Sequence, residues 1–546
     1  SLALLMGCSN GNETDESGNG NETVESGNGN ETDETKKKIE IQNTDNYKGI
    51  FVVKYNYSDN FLPAKETGNF IVKKNNVSNN VLSSNISQMN NDYIKDFTLN
   101  GKSIDLKDCF INDTSKIDKA CSELFNNIVK NTSRSVENTS IPVNSNKPEE
   151  YKIGEKKDFY VLKSVTDKKS ELKEATLKAC NDVCNVWFVD DCENVNFTDD
   201  SIFKNVAEKF KIIYEPEIEI MGDHKYSEKC SSYFIDPCKK INIIIYDIDC
   251  DSDPEQKGGI FGLFYGADMY TEEALNLDPK NQQKTNETQC IYLDSFFLSK
   301  DEKQVYSTLA HEFNHLLTFC NKTVLYGEDP QTWFKEMLSM ITEDMLQNLL
   351  DIEDVSSPKG RLPLFCQYYN YGFLDSWNRK KVNDSLEDTL INYANTYAYG
   401  AYLVRNCGGF DFLKRLATSE YINQAAINDA ISFCNDSNEK ISDFKSSIEF
   451  FPEIILDVYF KDWKHSSLNK TIIYENNNKV YFDAIDLELK YPDSNNTYKP
   501  IIYRIDYQLD LGGQSFSIHR VEDYESIIFE YNENNNMDLG AVTYNY

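Results

Sequence analysis

Positive charge is scarce in this chain. Its 546 residues include 56 Lys and Arg against 89 Asp and Glu, a formal net charge of -33. So acidic a surface repels a phosphate backbone, which excludes nucleic acid as a partner, and it offers no basic patch to an anionic bilayer. No C-x-x-C pair occurs among the 14 cysteines, which removes a thioredoxin-type redox motif and a zinc knuckle. The apolar run SLALLMGC, residues 1–8, is far too short to span a bilayer. Histidine is scarcer still. There are five, and two of them fall within five residues.

The length exceeds what one ordinary core accommodates, so two to four structural units are expected. Leu5-Met6-Gly7-Cys8 resembles the lipobox of bacterial lipoproteins. That resemblance implies cleavage before Cys8, acylation of Cys8, and lipid anchoring in a bacterial cell envelope, facing outside the cytoplasm. Residues 1–8 are accordingly assigned to a signal-peptide remnant. Residues 11–37 repeat with a period of nine, as GNETDESGN, GNETVESGN and GNETDETKK. Such units bury too little apolar surface to offset the entropy of ordering, and residues 9–45 are expected to be a flexible acidic tether. With Cys8 acylated, the remaining cysteines are expected as buried thiols or a few bridges. Short strand signals such as GIFVVKYNYSD and GNFIVKK make 46–150 a small β-rich domain. Residues 151–465 mix strands with helices. There FKNVAEKFKIIYEPEI predicts a helix that breaks at Pro216, KKINIIIYDID and QCIYLDSFFLS predict buried strands, and 300–464 is mainly helical. Alternation returns after 466, so 466–546 is expected to form a second β-rich domain.

The clustered histidines lie in STLAHEFNHLLTF, residues 307–319. Ser299 and Glu302 suggest a capping box opening a helix. Val305, Leu309, Phe313, Leu316 and Cys320 then follow at helical spacing as an apolar stripe. His311 lies about 200° around from Phe313 at 100° per residue, and His315 is one turn further on the same side. Two imidazoles at i and i+4 reach a single zinc ion, with Glu312 between them to act on a water. A third ligand is needed. Asp329-Pro330 predicts the start of a second helix, through QTWFKEMLSMITEDMLQNLL, with Phe334, Met337, Leu338, Ile341 and Met345 on its apolar side. A short connection lets the two helices pair antiparallel. Glu336 is then the natural third ligand, with Glu343 in reserve.

AHEFNHLLTF followed by WFKEMLSMITED resembles the zincin pattern in which H-E-x-x-H precedes W-x-x-E-x-x-S. Together with EATLKACNDVCNVWFVDD, GGIFGLFYGADMY and YAYGAYLVRNCGG, it is similar to the hyicolysin-type neutral metallopeptidases of bacteria over roughly residues 170–460. The resemblance implies an α+β fold: a zincin-type metallopeptidase core (twisted sheet, active-site helix and helical lobe) within 151–465, flanked by the small β-rich N- and C-terminal domains. It implies a gluzincin with zinc as cofactor, protein or peptide substrates, His311, His315 and Glu336 as ligands, and Glu312 as general base. This chain departs from the usual W-x-N-E-G in having Lys335 before the glutamate and Met337 after it. Met340 stands where thermolysin-like enzymes place an aspartate. Tyr399 in NTYAYGAYL sits at a separation from Glu336 similar to that of the catalytic tyrosine in aminopeptidase N-like enzymes, and is expected to serve a developing oxyanion. In DIDCDSD the alternating Asp247, Asp249 and Asp251 form a candidate calcium loop, though Ser252 stands where an EF-hand requires glycine. The function expected is a zinc-dependent extracytoplasmic endopeptidase. The competing expectation is a weak or inactive surface lipoprotein that keeps the scaffold for adhesion or binding, favoured by Lys335 and Met337.

Overall fold

Strands from both ends of the chain pair with one another. In the computed structural model, Gly49–Asn56 lies between Ser515–Glu522 and Met537–Tyr544, antiparallel to both. Lys36–Gln42 and Asn69–Lys74 flank Tyr524–Asn532. The structure describes residues 4–6, 36–45, 47–74, 98–99, 102–103, 115–132, 150–164, 169–191, 195, 197–226, 233–250, 259–276, 283–372, 377, 386–434, 440–459, 467–475, 479–487, 489–490, 497–498 and 500–544. They fall into two units, the first comprising Ser1–Lys95, Tyr369–Ser376 and Ile501–Tyr546 and the second Asp96–Tyr368 and Trp377–Pro500.

The first unit corrects the expectation of separate β-rich domains at 46–150 and 466–546. Ile50, Val52, Val521, Ile527, Phe529 and Leu539 share one core. Alternation along a strand reports that one face is buried, but not which strand supplies its neighbours. The tether assigned to 9–45 also ends early, because Ile39 and Ile41 pack against this core. Leu4–Met6, assigned from sequence to a signal segment, pair with Gly540–Val542. Cys8 lies outside the described residues.

The second unit carries the chemistry. Its first helix is α1 (Ser115–Thr132), where the sequence suggested only strands. A six-stranded sheet follows, made of β1 (Lys156–Ser164), β2 (Lys169–Cys180), β3 (Cys184–Phe188), β4 (Ile241–Tyr246), β5 (Gly262–Leu263) and β6 (Cys290–Asp294). Its order is β5-β6-β4-β3-β2-β1. The central β3, β4 and β6 run parallel, and β5 is an antiparallel edge. Ile241, Ile243, Ile244 and Ile245 are fully buried, the continuous apolar run of a strand covered on both faces.

The helices of this unit include α2 (Ser201–Met221), α3 (Glu302–Thr318), α4 (Thr332–Leu350) and α5 (Leu386–Asn406). Helix α2 runs straight through Pro216, contrary to the expected break. Proline removes one helical hydrogen bond, but Phe210, Ile213, Ile220 and Met221 on either side are buried and hold the turn. No helix of the described residues is long and apolar enough to cross a membrane. None of the ten described cysteines is in a disulfide.

Two glycines set how closely α3 and α4 are approached. A Cβ at Gly262 would meet the Tyr292 carbonyl oxygen at 2.8 Å and Thr308 of α3 at 2.9 Å. At Gly400 it would meet Met337 of α4 at 2.6 Å. Gly262→Ala is therefore expected to cost about 1–3 kcal/mol, because the backbone oxygen cannot swing aside. Ile153→Ala, at a position 64% exposed, should stay within about 0.5 kcal/mol. Urea unfolding of both variants checks the contrast.

Candidate metal centre

Helix α3 starts at Asp301, whose side chain accepts from the Gln304 N–H at 3.1 Å. Ser299, the expected cap, instead donates to the Phe296 carbonyl within the preceding short helix. Gln331 rather than Asp329 stands at the N-cap position of α4, without a side-chain capping bond. Every residue of α3 from Gln304 to Thr318 is buried, so the face carrying the histidines meets protein instead of solvent. Its partner is α4. Ser307 pairs with Glu343, His311 with Glu336 and Glu343, Asn314 with Thr342 and Ser339, and His315 with Ser339. Numbers rising on α3 meet numbers falling on α4, so the two helices are antiparallel.

At the middle of this polar seam three ligand atoms converge. His311 Nε2 and His315 Nε2 are 3.1 Å apart, and Glu336 Oε2 lies 3.1 Å from the first and 3.8 Å from the second. The sequence-expected residues His311, His315 and Glu336 are thus brought together, all within 4.8 Å. Ligands held about 2.0–2.1 Å from a tetrahedral zinc stand about 3.3 Å from one another. The observed separations bracket that value.

The far sides of the rings decide what the near sides can be. Glu343, expected only as a reserve ligand, accepts from His311 Nδ1–H at 2.8 Å and from the Ser307 hydroxyl at 2.6 Å. A carboxylate only accepts, so the proton sits on Nδ1. The Ser339 hydroxyl donates to Asn314 Oδ1 at 3.2 Å, which leaves its oxygen to accept from His315 Nδ1 at 3.3 Å. His315 Nε2 therefore presents a lone pair, whereas His311 Nε2, 3.1 Å from Glu336 Oε2, holds a proton for that carboxylate that a metal would replace. Glu336 Oε1 is buried without a hydrogen-bond partner among the described residues. These groups repel unless a proton or a metal cation lies between them, and the nitrogen, nitrogen and oxygen donors suit zinc. Titration reflects the same conflict. Burial works against a charge on His311, but Glu336 and Glu343 outweigh it and raise its pKa well above the usual imidazole value. Burial pushes His315 down to about 3.

Glu312, on α3 between the two histidines, is fully buried. Tyr399 is not part of this centre. Its hydroxyl bonds Ser447 Oγ at 2.6 Å and its ring stacks edge-on against Phe444 and Phe451, which makes it a core residue. The spacing that suggested it measured distance along the chain, and α5 turns that side chain toward other helices. The calcium reading gains no support. Asp247 and Asp249 join no cluster of three ligands among the described residues, the Asp247 N–H is turned to Asp191, and Asp251 lies outside the described residues.

One acid went unread in the sequence. Glu217 on α2 is fully buried, with neither carboxyl oxygen hydrogen-bonded among the described residues. Burial drives its pKa well above the carboxylate range, opposed by the charge of His311. The sequence did hold a signal for it. Phe203, Val206, Phe210, Ile213, Glu217 and Ile220 recur at spacings of three and four, and a charged residue within such a stripe is bound for the interior.

Because Glu343 orients His311 and fixes its tautomer, Glu343→Ala should weaken zinc binding by about 10–100-fold. Competition against a metal-indicator dye measures this, with far-ultraviolet circular dichroism confirming that the helices remain.

With this geometry in hand, comparison with known proteins is informative. Residues 165–446 match the family model for peptidase M30. The chain is also 26% identical over 314 residues to the neutral metalloprotease ShpI of Staphylococcus hyicus. That match covers 54% of this chain and 62% of the relative. The family match takes in β2 to β6, the α3–α4 pair and α5, and on its strength the chain belongs to the hyicolysin-type zinc metallopeptidases of family M30.

Proposed function

We propose that the chain is a zinc-dependent endopeptidase acting on proteins or peptides outside the cytoplasm. The observation that carries the reading is the convergence of His311 Nε2, His315 Nε2 and Glu336 Oε2, with Glu312 on the same turn of α3. When bound, zinc would supply a Lewis acid that acidifies water and polarises a carbonyl. The chain's own residues do the rest. Glu343 and Ser339 fix the two imidazoles so that neither ring can rotate its free nitrogen away. Glu312 takes the proton of the attacking water and returns it to the departing amine.

Action on proteins or peptides is supported by the relative's name, a neutral metalloprotease. The binding-only alternative rested on Lys335 and Met337. The Lys335 ammonium is held by Asp329 at 3.0 Å, and Met337 is buried where Gly400 gives it room. Neither displaces a ligand. Placement outside the cytoplasm by a lipid on Cys8 rests on the sequence motif.

The test is cleavage of casein by the zinc-loaded protein. Glu312→Gln should lower the rate by about 10²–10⁴-fold while zinc stays stoichiometric. Equal cleavage by wild type and variant would remove the reading.

A further inference from the structure

The metal centre is closed. His311 is 3% exposed, His315 4%, and Glu312 and Glu336 0%. A hydrolase that takes polypeptides needs a path by which a carbonyl reaches the ligands, and a pocket lined by His315 lies beside them.

Helix α1 carries Ile117, Ala120, Cys121, Leu124, Phe125 and Ile128 at spacings of three, one, three, one and three, and all six are buried. This is the stripe of an amphipathic helix docked on another surface. That surface consists of the turn Gly266–Met269, just after the edge strand β5, and helix α4, which bears Glu336. Both elements line the pocket that His315 also lines, through Gly266 and Lys335. The middle of α1 reaches into the space between them. Cys121 lines the same pocket as His315, Phe264, Gly266, Asp329 and Lys335, and Lys335 Nζ lies 3.4 Å from Ser122 Oγ. A Cβ on Gly266 would stand 3.5 Å from the Cys121 sulfur. Cys121 does not join the ligand cluster, so it fills space beside the metal position rather than coordinating it. Helix α1 also precedes residues 165–446, the segment that the family model matches.

We propose that α1 is an inhibitory gate, a helix seated in the cleft beside His315 that keeps polypeptides from the His311, His315 and Glu336 cluster until it is displaced. The gate rests on the endopeptidase reading for its purpose but not for its position. Because its hold is an apolar stripe, a charge placed in the stripe should release it. Ser122 and Lys335 would then lie open to the incoming chain.

The experiment uses the full chain loaded with zinc and two separate variants, Leu124→Lys and Phe125→Glu, with Leu124→Ile as the conservative control. Three rates are read: alkylation of Cys121 by iodoacetamide, located by peptide mass spectrometry; removal of zinc by a chelator; and cleavage of casein. The charged variants should raise all three by about tenfold or more through easier local opening, and Leu124→Ile should match wild type. The gate is overturned if Cys121 alkylation and zinc removal accelerate while a measurable wild-type cleavage rate stays level or falls. It is equally overturned if Cys121 stays protected in both charged variants, because a gate must open. Faster alkylation and zinc removal with no cleavage by any form would uphold the gate and sink the hydrolase reading instead.

Discussion

The organising constraint of this protein is a polar seam between two buried helices. Along α3 and α4, Ser307, His311, Asn314 and His315 face Glu343, Thr342, Ser339 and Glu336, and each bond reduces the freedom of the next. Burying so many polar groups is unfavourable unless every one is matched. At the seam's centre two imidazole nitrogens and a carboxylate converge, and Glu336 Oε1 has no hydrogen-bond partner among the described residues. That convergence marks a cation site, because a divalent ion satisfies all three groups together.

The rest of the second unit holds that seam rigid. The buried isoleucines of β4, the close approach at Gly262 and the packing of Phe210 on Phe313 fix α3 against the sheet and α2. On the other side, Gly400 lets α5 approach α4, and Asp344 of α4 accepts from Tyr397 at 3.0 Å and pairs with Arg405 at 2.9 Å. A site built on helices locked from both sides keeps ligand positions within the narrow tolerance that metal chemistry requires. The same rigidity leaves the cleft little freedom to admit a polypeptide by itself, which is why the element covering it matters.

Much of the site was legible because its signals are local. His311, Glu312 and His315 share one helical face by the 3.6-residue period, and Glu336 follows from a second helix whose stripe is equally plain. The sequence was misleading where a residue's role depends on what packs against it. Tyr399 had a suggestive spacing but points at Ser447. Glu343 looked like a spare ligand and instead orients His311. Helix α1 was passed over although Ile117, Ala120, Cys121, Leu124, Phe125 and Ile128 recur as a stripe, because its neighbours in sequence read as strands and turns. The two terminal β regions were separated on paper because strand alternation carries no address for its partner.

What the sequence determined by itself is the chemistry available: which side chains can ligate, their order, and the helical period that aligns His311 with His315. Those depend on covalent order and backbone geometry, which are local. Tertiary structure alone decided that the histidine-bearing face is dry, that Glu343 and Ser339 set the tautomers, that Glu217 is held uncharged nearby, and that α1 occupies the cleft. Each of these arises from groups far apart in the chain that meet only when apolar surface is buried, and burial is a property of the whole fold.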